Sequence, residues 1–154
     1  MEIKDINDFS KSWSDEKPAK VYMQFVELLS ELKARDLPDH LISFINLSVD
    51  KINASTTEGI QLIKLIKQEQ NLILKQLEKK MKIVPINYYR NLWLVLGMTV
   101  YGLPLGVSIG ISIGNIALLG IGLPIGMVIG MAVGLSLDKK ALQEGRQLSF
   151  EVKD

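Results

Sequence analysis

Between Leu92 and Leu137 the chain runs for 46 residues without an Asp, Glu, Lys, Arg or His. One bilayer-spanning helix needs about 20 apolar residues, so this stretch has length enough for two. It also contains a duplication. Gly102-Leu103-Pro104-Leu105-Gly106-Val107-Ser108-Ile109-Gly110 returns as Gly122-Leu123-Pro124-Ile125-Gly126-Met127-Val128-Ile129-Gly130, and each copy continues to one more glycine, Gly114 and Gly134. Glycines four residues apart line one strip of a helix that turns by about 100° per residue. In water this glycine content disfavours a helix by about 1 kcal/mol per residue relative to alanine. In lipid the backbone must bond to itself, and bare strips let two helices approach closely. The expected fold is therefore an all-α membrane protein. A cytoplasmic helical bundle (1–84) precedes a two-helix transmembrane glycine-zipper hairpin (85–138), and a cytoplasmic tail (139–154) follows.

The first span is expected over Leu92 to Gly114, kinked at Pro104, and the second over about Ile116 to Leu137. Gly102, Gly106, Gly110 and Gly114 should face Gly122, Gly126, Gly130 and Gly134. Folding near Ile116 sets Gly110 on Gly122 and Gly106 on Gly126. Folding at Leu118 sets Gly114 on Gly122 and Gly110 on Gly126. The earlier turn is preferred because it equalises the spans.

Orientation follows from the flanks. Lys75, Lys79, Lys80, Lys82 and Arg90 precede the first span, Lys139, Lys140 and Arg146 follow the second, and the turn near Asn115 is uncharged. The positive-inside rule then puts both termini in the cytoplasm, at an inner (cytoplasmic) membrane. Tyr88, Tyr89 and Trp93 suit the interfacial aromatic belt at the entry. The N-terminal residues lack a basic stretch followed by an apolar run, so the hairpin itself is expected to direct insertion. Asn46-Leu47-Ser48 and Asn53-Ala54-Ser55 match glycosylation acceptors but are silent on a cytoplasmic face.

Charge is balanced overall, with 18 Lys and Arg against 17 Asp and Glu. The region before the spans reads as three helices. One starts at Ser14-Asp15-Glu16-Lys17-Pro18, buries Val21, Phe25, Leu28, Leu29 and Leu32, and stops before Pro38. A second begins at Pro38 and buries Leu41, Ile42, Ile45 and Val49. The third, about Thr57 to Lys82, carries a seam of Ile63, Ile66, Ile73, Leu77 and Val84 interrupted by Gln70 and Lys80. Leu62, Leu65, Leu72 and Leu74 widen that face beyond a pure coiled coil. The tail after Gly145 is charge-balanced and expected to fray.

Chemistry is sparse. The absence of cysteine removes disulfides and thiolate metal sites. His40, the only histidine, follows Pro38 and Asp39, where a polar helix-start residue is the ordinary reading. No metal-ligand spacing, phosphate-binding glycine loop or serine elbow occurs, so no catalytic, cofactor or metal residue is assigned and an enzyme is not expected. The basic run from Lys75 to Arg90 abuts a span, so its expected partner is lipid headgroups rather than nucleic acid. One pattern goes beyond an anchor. Tyr101, Ser108, Ser112 and Asn115 fall within roughly 60° on a helical wheel, opposite the glycine strip. Such a stripe suits a pore or subunit face. Serines bonding their own backbone one turn earlier produce the same stripe without any path.

The repeated unit, the entry Tyr88-Tyr89-Arg90-Asn91-Leu92-Trp93 and the exit Asp138-Lys139-Lys140-Ala141-Leu142-Gln143-Glu144-Gly145-Arg146 resemble the hairpin of small bacterial glycine-zipper membrane proteins, a group with no assigned activity. The resemblance spans about Pro85 to Leu148 and does not reach residues 1–84. The shorter pattern of glycines four apart is similar to that in large-conductance mechanosensitive channels and some pore-forming toxins. Two functions are expected to compete. One is an oligomerising anchor or adaptor, homo-oligomeric in the bilayer, that presents its helices to a cytoplasmic protein partner. The other is an oligomeric channel or membrane-permeabilising effector gated by those helices.

Overall fold

The computed structural model describes residues 1–9, 16–57, 59–115 and 119–152. Among these the regular structure is helical: α1 (Glu16–Lys33), α2 (Asp39–Asn53), α3 (Gly59–Met81), α4 (Tyr88–Leu96), a π-helical segment (Gly97–Gly102), α5 (Leu103–Ile113) and α6 (Leu119–Gln143). The chain forms two compact units. One joins Met1–Val84 to Leu148–Asp154, and the other is Pro85–Gln147.

In the first unit α3 packs against both α1 and α2. Phe25, Leu28 and Leu32 of α1, Leu41, Ile45, Val49 and Ile52 of α2, and Leu62, Ile66, Ile73 and Leu77 of α3 are all but fully buried. Their three- and four-residue spacing puts each set on one face, so burial of a single stripe fixes each helix. The seam of α3 differs from the expected one. Leu62 replaces Ile63 as its first member, Leu72 lies 40% exposed, and Glu69 is buried beside the expected polar member Gln70. Glu69 sits in the seam because Lys51 of α2 reaches across to pair with its carboxylate. A buried charge is tolerated when a partner compensates its lost hydration.

The end of the chain corrects a second expectation. Residues 146–152 do not fray. Leu148 and Phe150 are buried in the same core as Ile3, Leu37 and Ile83. The Leu148 N–H donates to the Val84 carbonyl at 2.8 Å, and the Gln24 side-chain amide donates to the Glu151 carbonyl at 2.8 Å. Net charge balance hid two well-spaced apolar residues that burial stabilises.

The second unit holds two helical stretches long and apolar enough to cross a membrane, Tyr88–Ile113 and Gly120–Gln143, with 26 and 24 residues. At 1.5 Å per residue they extend about 39 and 36 Å, against a hydrocarbon core of about 30 Å. Only 22% of each apolar window is buried within the protein, unlike the core helix of a soluble domain. α6 packs along α4, the π segment and α5 in turn. α5 ends at Gly114, which takes the left-handed conformation (φ 69°) so that the Asn115 N–H reaches the Gly110 carbonyl at 2.9 Å. α6 closes the same way, with Gly145 at φ 67° and the Arg146 N–H on the Ala141 carbonyl at 2.9 Å.

Candidate functional site

The contact between the two apolar stretches is backbone against backbone. A Cβ built on Gly122 would lie 2.2 Å from the Gly102 carbonyl oxygen and 2.6 Å from Gly106 Cα. On Gly126 it would lie 2.3 Å from the Gly97 oxygen, and on Gly130 it would lie 2.0 Å from the Trp93 oxygen. On Gly134 it would meet the Tyr89 oxygen and Arg90 Cα, both at 2.6 Å. No side chain fits at these positions without moving a helix, so the sequence supplies hydrogen atoms there and nothing else.

Gly106 thus lies over Gly122, Gly102 over Gly126, and Gly97 over Gly130. This register is one turn from the expected one and two turns from its alternative. Gly114 explains the difference. It is exposed, a Cβ on it would meet nothing within 4 Å, and its left-handed conformation turns the chain at that residue. It is a helix terminator and not part of the strip. Gly110 is buried in α5.

Gly97 is a member that the period of four does not find. It stands five residues before Gly102, which in an α-helix would place it about 140° away. The π segment absorbs the extra residue: the Leu103 N–H bonds the Met98 carbonyl, five residues back, and Gly97 comes round onto the strip. This segment ends two residues before Pro104, where the sequence predicts a kink. Proline has no N–H to give, and a wider turn just before it reassigns the carbonyls. The signal available in sequence was a glycine one residue out of phase, followed by a proline.

Asp138 holds the other end of the contact. It is 5% exposed, and its two carboxylate oxygens accept the Tyr89 N–H at 3.0 Å and the Arg90 N–H at 2.8 Å. These are first-turn donors of α4, which have no acceptor within the helix itself, and its N-cap, Asn87, is left-handed and makes no side-chain cap bond. An acid borrowed from α6 therefore caps α4, where the helix dipole also favours negative charge.

Of the polar stripe, Tyr101 lies in the π segment, Asn115 beyond the end of α5, and Ser108 and Ser112 within α5. Both are exposed, and both hydroxyls donate one turn back, to the Pro104 carbonyl at 2.8 Å and the Ser108 carbonyl at 2.7 Å. Thr99 does the same, to the Val95 and Leu96 carbonyls. These hydroxyls are satisfied by their own helix.

His40 is exposed in the first turn of α2, and among the described residues no group of three His, Cys, Asp or Glu is placed to hold a metal. Outside the apolar stretches, burial raises the Tyr22 phenol, and the other titration shifts among the described residues lie at the tail. Burial raises the Glu31 carboxyl, but hydrogen bonds from the Ser149 N–H, Arg35 and the Ser149 hydroxyl outweigh it and leave the group below its ordinary value. Ser149 N and Oγ both donate to Glu31 Oε2 at 2.9 Å. Beyond α6, the Arg146 guanidinium bonded to Glu144 lowers that carboxyl and is itself raised. The chain matches no family model, no curated protein and no solved structure.

Proposed function

We infer that this chain is an inner-membrane anchor or adaptor. Its apolar stretch forms a two-helix transmembrane hairpin packed through glycines, both termini lie in the cytoplasm, and the helical module of residues 1–84 is offered to a cytoplasmic protein partner. One observation carries the reading. Residues on either side of the apolar stretch belong to one compact unit, tied by the Leu148 N–H to the Val84 carbonyl and by the burial of Leu148 and Phe150. A chain that leaves and re-enters one folded unit crosses a bilayer an even number of times. Two helices of 26 and 24 residues allow one crossing each. Lysine and arginine at both outer ends, against an uncharged turn, favour the cytoplasmic side for that unit.

The self-satisfied hydroxyls of Ser108 and Ser112 favour an anchor over a channel or permeabilising effector lined by them. Because the glycine contacts are made within one chain, copies that assemble meet through surfaces other than the glycine strip. The chain has no cysteine, so single-cysteine variants test the topology directly. Asp36→Cys and Gln143→Cys should react with an impermeant maleimide only from the cytoplasmic side, and Asn115→Cys only from the opposite side. Asp36 and Gln143 labelled from opposite faces would sink the hairpin.

A further inference from the structure

Residues 1–9 have no regular secondary structure, yet they are held along the whole of α2. The flank of α2 beside its buried stripe presents Asn46, Asp50 and Asn53, at i, i+4 and i+7 and within about 60° of one another. Each asparagine brackets the backbone of the N-terminal segment. Asn46 Nδ2 donates to the Glu2 carbonyl at 2.9 Å, and its Oδ1 accepts the Lys4 N–H at 2.8 Å. Asn53 repeats this three residues on: Nδ2 donates to the Asp5 carbonyl at 3.1 Å, and Oδ1 accepts the Asn7 N–H at 2.8 Å. Seven helical residues rise about 10.5 Å, and three residues cover that distance only when nearly fully extended. An amide every second turn of α2 is thus in step with every third residue of an extended chain.

Side chains add a second layer of recognition. Ile3 is 7% exposed in the core, and Ile6 and Phe9 pack against its edge. The Lys4 ammonium reaches both oxygens of Asp50, at 2.9 and 2.7 Å. Tyr22 of α1 closes the far end, with its hydroxyl on the Asn7 carbonyl at 3.1 Å and its ring edge-on to Phe9 at 6.3 Å. The asparagines address groups that every residue except proline carries, so they accept any extended segment whose apolar residues are correctly spaced. The asparagine bonds and the Lys4 pair lie at exposed positions, where water competes and local opening is cheap.

The geometry points to this flank of α2, bordered by α1, as a docking groove for an extended peptide, with residues 1–9 as its tethered and displaceable occupant. The ligand is an extended segment of a cytoplasmic partner protein. It carries a buried apolar residue, a basic residue directly after it, and apolar residues three and six positions on, as Ile3, Lys4, Ile6 and Phe9 do. This rests on the reading of the chain as an anchor that presents residues 1–84, and it names what that module receives. The tether sets a threshold, because a partner must outcompete a segment whose effective concentration is on the order of millimolar.

The test uses full-length protein in detergent and a fluorescein-labelled synthetic peptide with the sequence of residues 1–9. Ile3→Asp loosens the internal occupant and should bind the peptide at least about tenfold tighter than wild type. Adding Asn46→Ala and Asn53→Ala to that variant should weaken binding roughly a hundredfold through four lost backbone bonds. A peptide with proline at its fourth and seventh positions lacks the two N–H groups and should not bind. Lys4→Glu, which sets a carboxylate against Asp50, is the second opened variant in case Ile3→Asp melts early. Equal binding of the two peptides, or no gain in either opened variant with wild-type helix content, would overturn the groove. A doubled particle mass that Lys4→Glu abolishes would assign the groove to a second copy and overturn the partner reading. Maleimide topology and peptide binding are independent readouts, so failure of the anchor and failure of the groove are told apart.

Discussion

Replacing Gly130 by alanine adds one methyl group at the tightest point of the helix contact. Its carbon would lie 2.0 Å from the Trp93 carbonyl oxygen and 2.9 Å from Gly97 Cα. Both neighbours are backbone, so no flexible side chain can swing aside. To reach 3.4 Å, where contact becomes ordinary, α6 must recede from α4 by more than 1 Å. A gap of 0.5–1 Å already forfeits roughly a quarter to a half of each dispersion contact. Gly122, Gly126 and Gly134 share the same contact, so the displacement propagates along several turns. Overpacking of this kind costs about 1–3 kcal/mol, and the shared displacement puts Gly130→Ala at the upper end, about 2–3 kcal/mol. That corresponds to roughly 30- to 150-fold in the folding equilibrium.

Gly120→Ala is the control. It is the same chemical change in the same helix, and a Cβ there would meet nothing within 4 Å. It should be neutral, or gain up to about 1 kcal/mol from helix propensity. Reversible unfolding in mixed micelles, followed by the fluorescence of Trp93 beside Gly130, measures both. Equal midpoints for the two variants would refute the argument that backbone approach holds this unit together.

Deleting Val100 converts the five-residue interval from Gly97 to Gly102 into four, so an α-helix restores the strip without a π segment. The unfolding midpoint in micelles should be retained in that deletion and fall on deleting Met127, which moves Gly130 off the strip relative to Gly126. Asp138→Ala strips the cap from Tyr89 and Arg90 and should cost about 1–2 kcal/mol. Asp138→Asn keeps one acceptor and should cost about half, with hydrogen exchange at residues 89 and 90 as the readout. Glu31 is held below its ordinary value in the folded state, so its contribution is present above the unfolded carboxylate range and lost as pH falls through the folded value. Exchange protection of residues 148–152 should therefore drop as pH falls below the ordinary carboxylate range. Glu31→Gln should abolish that dependence.

The apolar helices and the core faces of α1 and α2 were legible because burial imposes a period that composition cannot hide. Phe25, Leu28, Leu29 and Leu32 read directly as one face, and all are buried. Three features were not legible, for separate physical reasons. Gly97 is out of phase by one residue, and only hydrogen bonding five residues apart brings it in. Leu148 and Phe150 lie in a charged tail too short to show a period, and their burial is a tertiary event. Asn46 and Asn53 look like polar surface on an amphipathic helix. Their significance lies in matching an extended chain, a relation between two segments that neither displays alone.

The two copies of the repeat share their sequence and not their structure. Pro124 stands in the second turn of α6, near an end where few intrahelical bonds are at stake, and α6 remains α-helical around it. Pro104 comes about four turns into a stretch that begins at Tyr88, with helix committed on both sides. There the missing N–H must be absorbed internally, and the π segment does so while keeping Gly97 in line with Gly130. Local sequence is therefore read through the length of helix that precedes it. The same Gly-Leu-Pro either opens a helix or re-phases one. The second outcome leaves the first span with one irregular turn, at Met98 to Tyr101, while its partner stays regular. Any bending of this unit in a membrane should begin at that turn, where the hydroxyl of Thr99 already shares itself between two carbonyls.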